Sequence, residues 1–134
     1  MLNIYKFHLG KELDMIVVDE VLEPYVIEFK PIEITIIVDN LINNSKKKNA
    51  KKVVFSFRKA KDGSLEIFYK DDGDGLDKVI DNVNNIFDKG FTTTRGSGLG
   101  LFHVRKIMTE QKGTISVNTN NKDKGLELIL NFKN

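Results

Sequence analysis

The chain of 134 residues contains no cysteine and only two histidines, His8 and His103. Without cysteine it has no disulfide framework and no thiolate zinc site, and two histidines do not make a histidine-rich metal site. No apolar run approaches the ~18 residues of a membrane-spanning helix. The first residues lack the basic, apolar and small-residue segments of a signal peptide, so we expect a cytoplasmic domain without membrane contact.

Positive charge is in small excess, with a net charge of +2, and 40% of the residues are hydrophobic. The near balance of charge does not indicate nucleic-acid binding. The hydrophobic fraction is sufficient for one core. We therefore expect one domain over residues 1–134, with N-terminal strands in 1–30 and a motif-bearing core in 31–132. The domain is expected to be part of a larger protein and a monomer when isolated.

Apolar patches predict two strands before residue 30, at 13–18 and 26–29. A helix is predicted over 32–48, with Pro31 in its first turn and Asn49 as a left-handed cap. One face of this helix carries the residues expected to face the core: Ile36, Ile37, Leu41 and Ser45.

The second half alternates strands and helices. Strands are predicted at 53–57 and 65–70, joined by an Asp-Gly turn, a short helix at 77–86, a loop at 88–97, a helix at 99–111 that ends at Gly113, and strands at 115–117 and 126–132. Tight turns between consecutive strands favour antiparallel hairpins over β-α-β units. The predicted class is therefore α+β, a two-layer α/β sandwich whose mixed, mostly antiparallel sheet carries about three helices on one face.

The stretch Asp71-Asp-Gly-Asp-Gly75 follows a predicted strand. An ionised carboxylate only accepts hydrogen bonds, so an aspartate held at a strand end can select the amino group of adenine. Gly73 and Gly75 would let the backbone approach the base without a Cβ in the way. An acidic surface turn is the alternative. A calcium loop is disfavoured, because Leu76 stands where a third oxygen ligand is needed.

Gly96-Ser-Gly-Leu-Gly100 opens a predicted helix, whose free backbone N–H groups can bind phosphate oxygens. A flexible linker is the alternative, and the spacing fits neither a Walker A loop nor a dinucleotide fingerprint. Between the two glycine motifs, the hydroxyls and guanidinium of 91–95 could also meet phosphates.

Asn40 and Asn44 lie four residues apart, on one face of the first helix. Amide oxygens suit a magnesium ion that bridges phosphates, although a solvated helix face is the simpler interpretation. His103 is expected to be packed or exposed rather than catalytic. The lysines at 46–48 are expected to be solvated.

In this order, the motifs resemble the ATP-binding domain of the gyrase, heat-shock chaperone, histidine kinase and MutL (GHKL) superfamily. Residues 40–45 look like its N box, 71–75 its G1 box, 87–93 its F box and lid, and 96–101 its G2 box. The resemblance covers residues 31–132 and implies the Bergerat fold, with Mg²⁺ and ATP bound under a mobile lid.

The resemblance also implies site residues. Asp71 would bind the adenine amino group and Asn44 would ligate Mg²⁺, with Gly73 and Gly75 against the base. The remaining contacts, around the phosphates and under the lid, would come from Phe91, Thr92, Thr93, Gly96, Gly98, Leu99 and Gly100.

Asn40 is the catalytic position at which ATP-hydrolysing relatives carry a glutamate. An amide cannot accept a proton at neutral pH, so the chain resembles the histidine kinases at this point. A shifted register that pairs Asp39 with Asn43 would restore an acid–asparagine pair. Asn40 with Asn44 is preferred because Asn44-Ser45 matches the asparagine–small pair of the family.

Three hypotheses follow for function. The first is the ATP-binding catalytic domain of a histidine-kinase-like sensor protein, which donates the γ-phosphate to a histidine on a separate phosphoacceptor domain, with a response regulator as a further partner. The second is an ATP-hydrolysing clamp of the chaperone, MutL or gyrase type. The third is a non-enzymatic protein-binding module. Neither His8 nor His103 fits a phosphoacceptor motif, so the chain alone should bind ATP without phosphorylating itself.

Overall fold

A computed structural model of the protein describes residues 3–10, 13–21, 30–76, 82–88, 100–119 and 124–133. Its elements, in chain order, are β1 (Asn3–Leu9), β2 (Leu13–Asp19), α1 (Pro31–Lys47), β3 (Lys52–Lys59), β4 (Leu65–Asp71), a 3₁₀ turn (Val83–Phe87), α2 (Gly100–Glu110), β5 (Thr114–Val117) and β6 (Glu127–Phe132).

The six strands form one sheet in the order β1-β2-β3-β4-β6-β5. Strands β2 and β3 pair in parallel, and the other neighbours pair antiparallel. The predicted mixed, mostly antiparallel sheet is confirmed. The expectation of hairpins without a β-α-β unit is wrong at one place. Strands β2 and β3 run parallel, and α1 lies in the connection between them.

Helix α1 begins at Pro31, directly after Lys30 in extended conformation. Proline suits this position because its fixed φ is helical and its missing N–H would have no partner there. Asn49 follows the helix with φ of +64°, as predicted for a left-handed cap. Ile37, Leu41 and Ser45 are buried on the face expected to meet the core.

Helix α2 is described from Gly100 to Glu110, and it ends one residue before the predicted C-terminal bound. Its C-terminus is a Schellman turn, in which the Gly113 N–H donates to the Met108 carbonyl at 2.8 Å. The left-handed residue of this turn is Lys112, with φ of +59°. Gly113 is needed for another reason, since a Cβ there would lie 2.4 Å from the Asn131 carbonyl oxygen of β6.

The core lies between the helices and one face of the sheet. Phe55, Tyr69 and Leu128 are aligned across β3, β4 and β6 and are all buried. The buried side chains of the two helices pack against this face: Ile37, Leu41, Val104, Ile107 and Met108. This is the expected two-layer arrangement.

The structure corrects the helix count. Within the described residues there are two α-helices, not three. In place of the short helix predicted at 77–86, the described residues 82–88 form only the 3₁₀ turn Val83–Phe87. The Asn82 side chain accepts from the Asn84 N–H at 3.0 Å, and asparagine is a poor former of longer helices. Residues 77–81 lie outside the described part.

The sequence pattern also missed β1. This edge strand exposes apolar residues on both faces, among them Ile4 and Tyr5, so it shows no alternation of apolar and polar positions. The strand predicted at 13–18 is confirmed as β2, and the one predicted at 26–29 lies outside the described residues. Neither described α-helix is long and apolar enough to cross a membrane.

Candidate functional site

Asp71 ends strand β4 with a side chain that is 2% exposed. Its Oδ1 accepts hydrogen bonds from the backbone N–H groups of Gly73, at 3.1 Å, and Leu126, at 3.0 Å. Its Oδ2 accepts from the Ser45 hydroxyl at 2.6 Å. These donors fix the rotation of the carboxylate and compensate for its removal from water.

Behind Asp71, the Ser45 hydroxyl lies 2.6 Å from the hydroxyl of Tyr69, which is also within hydrogen-bond distance of the Leu41 carbonyl at 3.0 Å. Ser45 and Tyr69 are both fully buried. Burial raises the pKa of Tyr69 well above its usual range, and the nearby Asp71 carboxylate raises it further, so the phenol keeps its proton. Helix α1 and strand β4 are thus joined by hydroxyl contacts beneath the carboxylate.

Glycine is required where the chain passes closest to Asp71. A Cβ on Gly73 would lie 2.6 Å from the Lys48 carbonyl oxygen, at the end of α1. Gly75 has φ of +77°. Gly125 has φ of +105°, and a Cβ there would lie 2.0 Å from the Asp71 carbonyl oxygen. The site is therefore built by backbones that approach one another too closely for side chains.

The two other aspartates of the motif hold this turn against the connection between α1 and β3. Asp72 Oδ1 accepts from the N–H groups of Lys51 and Lys52, at 2.8 and 2.9 Å. Partial burial would raise the pKa of Asp72, but these backbone donors outweigh it and the pKa is lowered. Asp74 Oδ2 accepts from the Asn49 amide at 2.7 Å. Both carboxylates therefore have structural partners at the start of β3 and the end of α1.

Asn40 of α1 lies against the first residue of α2. Its Nδ2 donates to the Ile36 carbonyl at 2.9 Å, and its Oδ1 lies 3.1 Å from the position that a Cβ of Gly100 would take. Asn40 and Asn44 are half-buried, whereas Asp39 and Asn43 are exposed. The Asn44 side chain makes no hydrogen bond to another of the described residues.

Six predicted site residues lie outside the described part of the chain: Phe91, Thr92, Thr93, Gly96, Gly98 and Leu99. Phe87, where the lid-like segment was predicted to begin, is 1% exposed and belongs to the core. The next residue, Asp88, pairs with Arg105 of α2 at 3.2 Å. His103 is exposed, which agrees with its prediction as a packed or exposed residue.

Of the predicted residues, the structure brings Asp71, Gly73 and Gly75 together around the end of β4, and Asn40 together with Gly100. Sequence reasoning missed Tyr69 and Gly125, and it placed Ser45 in the core and in the N-box motif without a contact to Asp71. A serine on an otherwise apolar helix face, and a glycine two residues before the last strand, were the available signals.

Two layers, a parallel crossover through α1 and a glycine turn closing on a buried aspartate define the class of ATP-binding domains that the motifs resemble. Residues 29–134 match the family of histidine kinase-, DNA gyrase B- and HSP90-like ATPases, and the chain belongs to this family.

Two curated relatives are sensor proteins. The chain is 30% identical over 129 residues to a probable C4-dicarboxylate sensor kinase of Bacillus subtilis (strain 168), covering 88% of this chain and 24% of that protein. It is 35% identical over 92 residues to the sensor protein RprX of Bacteroides fragilis (strain YCH46), covering 61% of this chain and 17% of that protein. The chain thus spans less than a quarter of either relative.

Solved structures share the fold. The ATP-binding domain of PrrB from Mycobacterium tuberculosis superposes with a TM-score of 0.68 at 27% identity, covering 90% of this chain and 79% of that one. The mycobacterial sensor histidine kinase MprB superposes with a TM-score of 0.66 at 20% identity, covering 78% and 72%. The predicted superfamily and fold are confirmed.

Proposed function

We propose that this chain is the ATP-binding catalytic domain of a sensor histidine kinase, which positions ATP for transfer of its γ-phosphate to a histidine on a separate domain. One observation carries the proposal. The buried Asp71 carboxylate is fixed at a strand end by three donors and keeps capacity for a fourth.

Asp71 gives the site its preference for adenine. A carboxylate can accept a hydrogen bond from the 6-amino group of adenine, whereas guanine presents a carbonyl oxygen at that position and would meet repulsion. Gly73 and Gly75 would contribute backbone atoms that lie against the base. Side chains at these positions are already excluded or crowded by the nearby Lys48 and Gly125 carbonyl groups.

The phosphates belong between α1 and the start of α2. The N-terminal end of α2 follows the glycine motif, and backbone N–H groups at a helix N-terminus favour anions. The residues before it in the glycine motif, Gly96, Gly98 and Leu99, would extend this cradle. Phe91, Thr92 and Thr93 would close over it as part of the lid.

The chemistry of the donors fits magnesium at Asn44. Its half-buried amide makes no hydrogen bond to another described residue, and among those residues there is no cluster of three or more acidic, histidine or cysteine ligands. Magnesium suits such a sparse site because it keeps several waters and shares phosphate oxygens. A bound ion would supply positive charge to the phosphates during transfer.

Asn40 makes phosphoryl transfer a better proposal than hydrolysis. It occupies the half-buried position that faces Gly100, and its amide cannot take a proton from water at neutral pH. Asp39, which could do so, is exposed. The exposure of Asp39 and Asn43 supports the Asn40 and Asn44 register over the shifted one.

We also propose which domains and partners accompany this domain. Both curated relatives are sensor proteins several times longer than this chain. We infer a phosphoacceptor and dimerisation domain, in the same or a partner chain, and a response regulator downstream. The domain itself would be a cytoplasmic monomer that binds neither nucleic acid nor membrane.

Binding of ATP to Asp71→Asn, measured by calorimetry, tests the pocket. We expect the affinity to fall by at least about 100-fold, because an amide in place of the carboxylate puts donors where acceptors are needed. Asp62→Asn, in the exposed β3–β4 turn, is the control and should bind like the wild type. Unchanged affinity in Asp71→Asn would reject the pocket.

ATP hydrolysis tests the branch. We expect background hydrolysis by the wild type and by Asp39→Asn. Steady hydrolysis that disappears in Asp39→Asn and survives in Asn40→Asp would instead favour an ATP-driven clamp of the MutL or chaperone type.

A further inference from the structure

Two buried hydroxyl groups stand behind the Asp71 carboxylate, and neither belongs to the proposed set of nucleotide contacts. Ser45 is 0% exposed and Tyr69 is 1% exposed. Ser45 Oγ lies 2.6 Å from both Asp71 Oδ2 and the Tyr69 hydroxyl. Tyr69 also packs its ring edge-on against Phe55, with centroids 4.8 Å apart. The two hydroxyls therefore have fixed positions as well as short contacts.

The number of available protons determines which group donates in each of these hydrogen bonds. An ionised carboxylate only accepts, so the Ser45 hydroxyl donates to Asp71. With its one proton used, Ser45 can only accept from Tyr69. The single Tyr69 proton then serves two acceptors, the Leu41 carbonyl at 3.0 Å and Ser45 Oγ at 2.6 Å. Tyr69 of β4 therefore donates to Ser45 of α1, and Ser45 donates to Asp71 at the end of β4.

The direction matters because it decides which acceptor positions of Asp71 stay open. Oδ1 is taken by the N–H groups of Gly73 and Leu126, and Oδ2 receives the Ser45 hydroxyl. A carboxylate offers about four acceptor positions, so one remains, on Oδ2. Ser45 sets where that remaining position points.

We propose that the Tyr69–Ser45 pair is a positioning device that holds Asp71 as acceptor for the 6-amino group of a purine nucleotide and so sets the selectivity of the site for 6-aminopurines. The inference rests on the proposed function, in which Asp71 binds adenine. Ser45 and Tyr69 are positioning residues, since they act on the nucleotide through Asp71. Without the Ser45 hydroxyl, Oδ2 has two open positions and its orientation toward the base is no longer unique.

The test compares ATP with purine riboside triphosphate, which lacks only the 6-amino group. Dissociation constants are measured by calorimetry for the 134-residue wild type, Ser45→Ala, Tyr69→Phe and Ser64→Ala. Ser64 is a matched control, because it is a buried serine with hydroxyl hydrogen bonds at the opposite end of β4. Tyr69→Phe keeps the ring packing and gives a second reading should Ser45→Ala fail to fold.

We expect the wild type to prefer ATP by at least about 10-fold, as a hydrogen bond to a charged group allows. Ser45→Ala should weaken ATP about 10-fold and leave purine riboside triphosphate within about two-fold, so that the preference collapses. Tyr69→Phe should shift the preference in the same direction by about three-fold, and Ser64→Ala should leave it unchanged.

The outcomes separate this inference from the proposed function. Equal binding of both nucleotides by the wild type would reject adenine recognition by Asp71, and the inference with it. A wild-type preference for ATP that persists in Ser45→Ala and Tyr69→Phe would overturn the inference alone. A parallel loss of affinity for both nucleotides would show that the hydroxyls act through stability, which also overturns it.

Discussion

At the scale of single residues, Asp71 takes its position from donors in three separate parts of the chain. Gly73 follows it two residues later, Ser45 lies in α1, and Leu126 is the residue before β6. A change in any of these parts affects the carboxylate directly, because a buried acceptor that loses a donor keeps the cost of its removal from water.

Gly125→Ala should be among the more damaging single substitutions. A Cβ there would meet the Asp71 carbonyl oxygen at 2.0 Å, in addition to the strain of a φ of +105°. We expect the free energy of unfolding to fall by more than about 2 kcal/mol in chemical denaturation.

Gly10→Ala is the matched control for Gly125→Ala. Its φ is +71°, also in the left-handed region, but a Cβ there would have nothing within 4 Å. The control should lose about 1 kcal/mol from backbone strain alone. Equal losses in the two variants would mean that the close approach to Asp71 has no energetic weight.

The lowered pKa of Asp72 predicts that the stability of the fold depends on pH. Its pKa is lowered in the folded chain by the Lys51 and Lys52 N–H groups, against the effect of burial. Its stabilising contribution is therefore complete above the unfolded pKa of about 4 and is lost as the pH falls through the lower folded pKa. In urea denaturation, Asp72→Ala should cost about 1 kcal/mol at neutral pH, and the difference should shrink below about pH 4. A difference that stays constant into acid would contradict this account.

At the scale of elements, both helices end in a left-handed residue that is not glycine. Asn49 ends α1 with φ of +64°, and Lys112 ends α2 with φ of +59°. Asparagine tolerates this conformation and its amide binds Asp74. Lysine has no such compensation, so the end of α2 carries avoidable strain.

Lys112→Gly should therefore stabilise the protein by about 1 kcal/mol, because glycine adopts the left-handed conformation without a Cβ penalty. Lys106→Gly, in the middle of α2 and also exposed, should do the opposite and cost about 1 kcal/mol. Thermal and urea denaturation of the two variants measure the pair of effects. A loss of stability in Lys112→Gly would contradict the strain argument.

At the scale of the whole molecule, the site joins the two layers. Asp71 lies at the end of a central strand, while Asn40 and Ser45 come from the helix packed over it. A nucleotide that contacts both layers binds the folded state and not the unfolded chain. Its binding must therefore raise stability by linkage.

ATP with magnesium should raise the midpoint of thermal unfolding. At a concentration 100 times the dissociation constant the added stability would be about 2.7 kcal/mol. If Asn44 holds magnesium as proposed, chelation of the ion should reduce the shift. Asp71→Asn should show almost no shift, and a wild type without one would favour the non-enzymatic binding module.

Much of the fold could be predicted because it depends on local signals. Pro31 and Asn49 determine the ends of α1, and alternating apolar residues determine β4 and β6. The order of the motifs was sufficient to identify the ATPase family. By contrast, β1 and the 3₁₀ turn went unpredicted, since an edge strand exposed on both faces and a five-residue turn carry no periodicity.

The sequence by itself identified the family and predicted the motifs of the nucleotide site, because the residues of each motif stand in contiguous stretches. Tertiary structure alone decided what holds Asp71 in place. Ser45, Tyr69 and Leu126 are far apart along the chain, and they meet only because α1 packs over β4 while β6 pairs beside it. Hydrogen bonds between distant residues depend on this packing, and no local pattern encodes it.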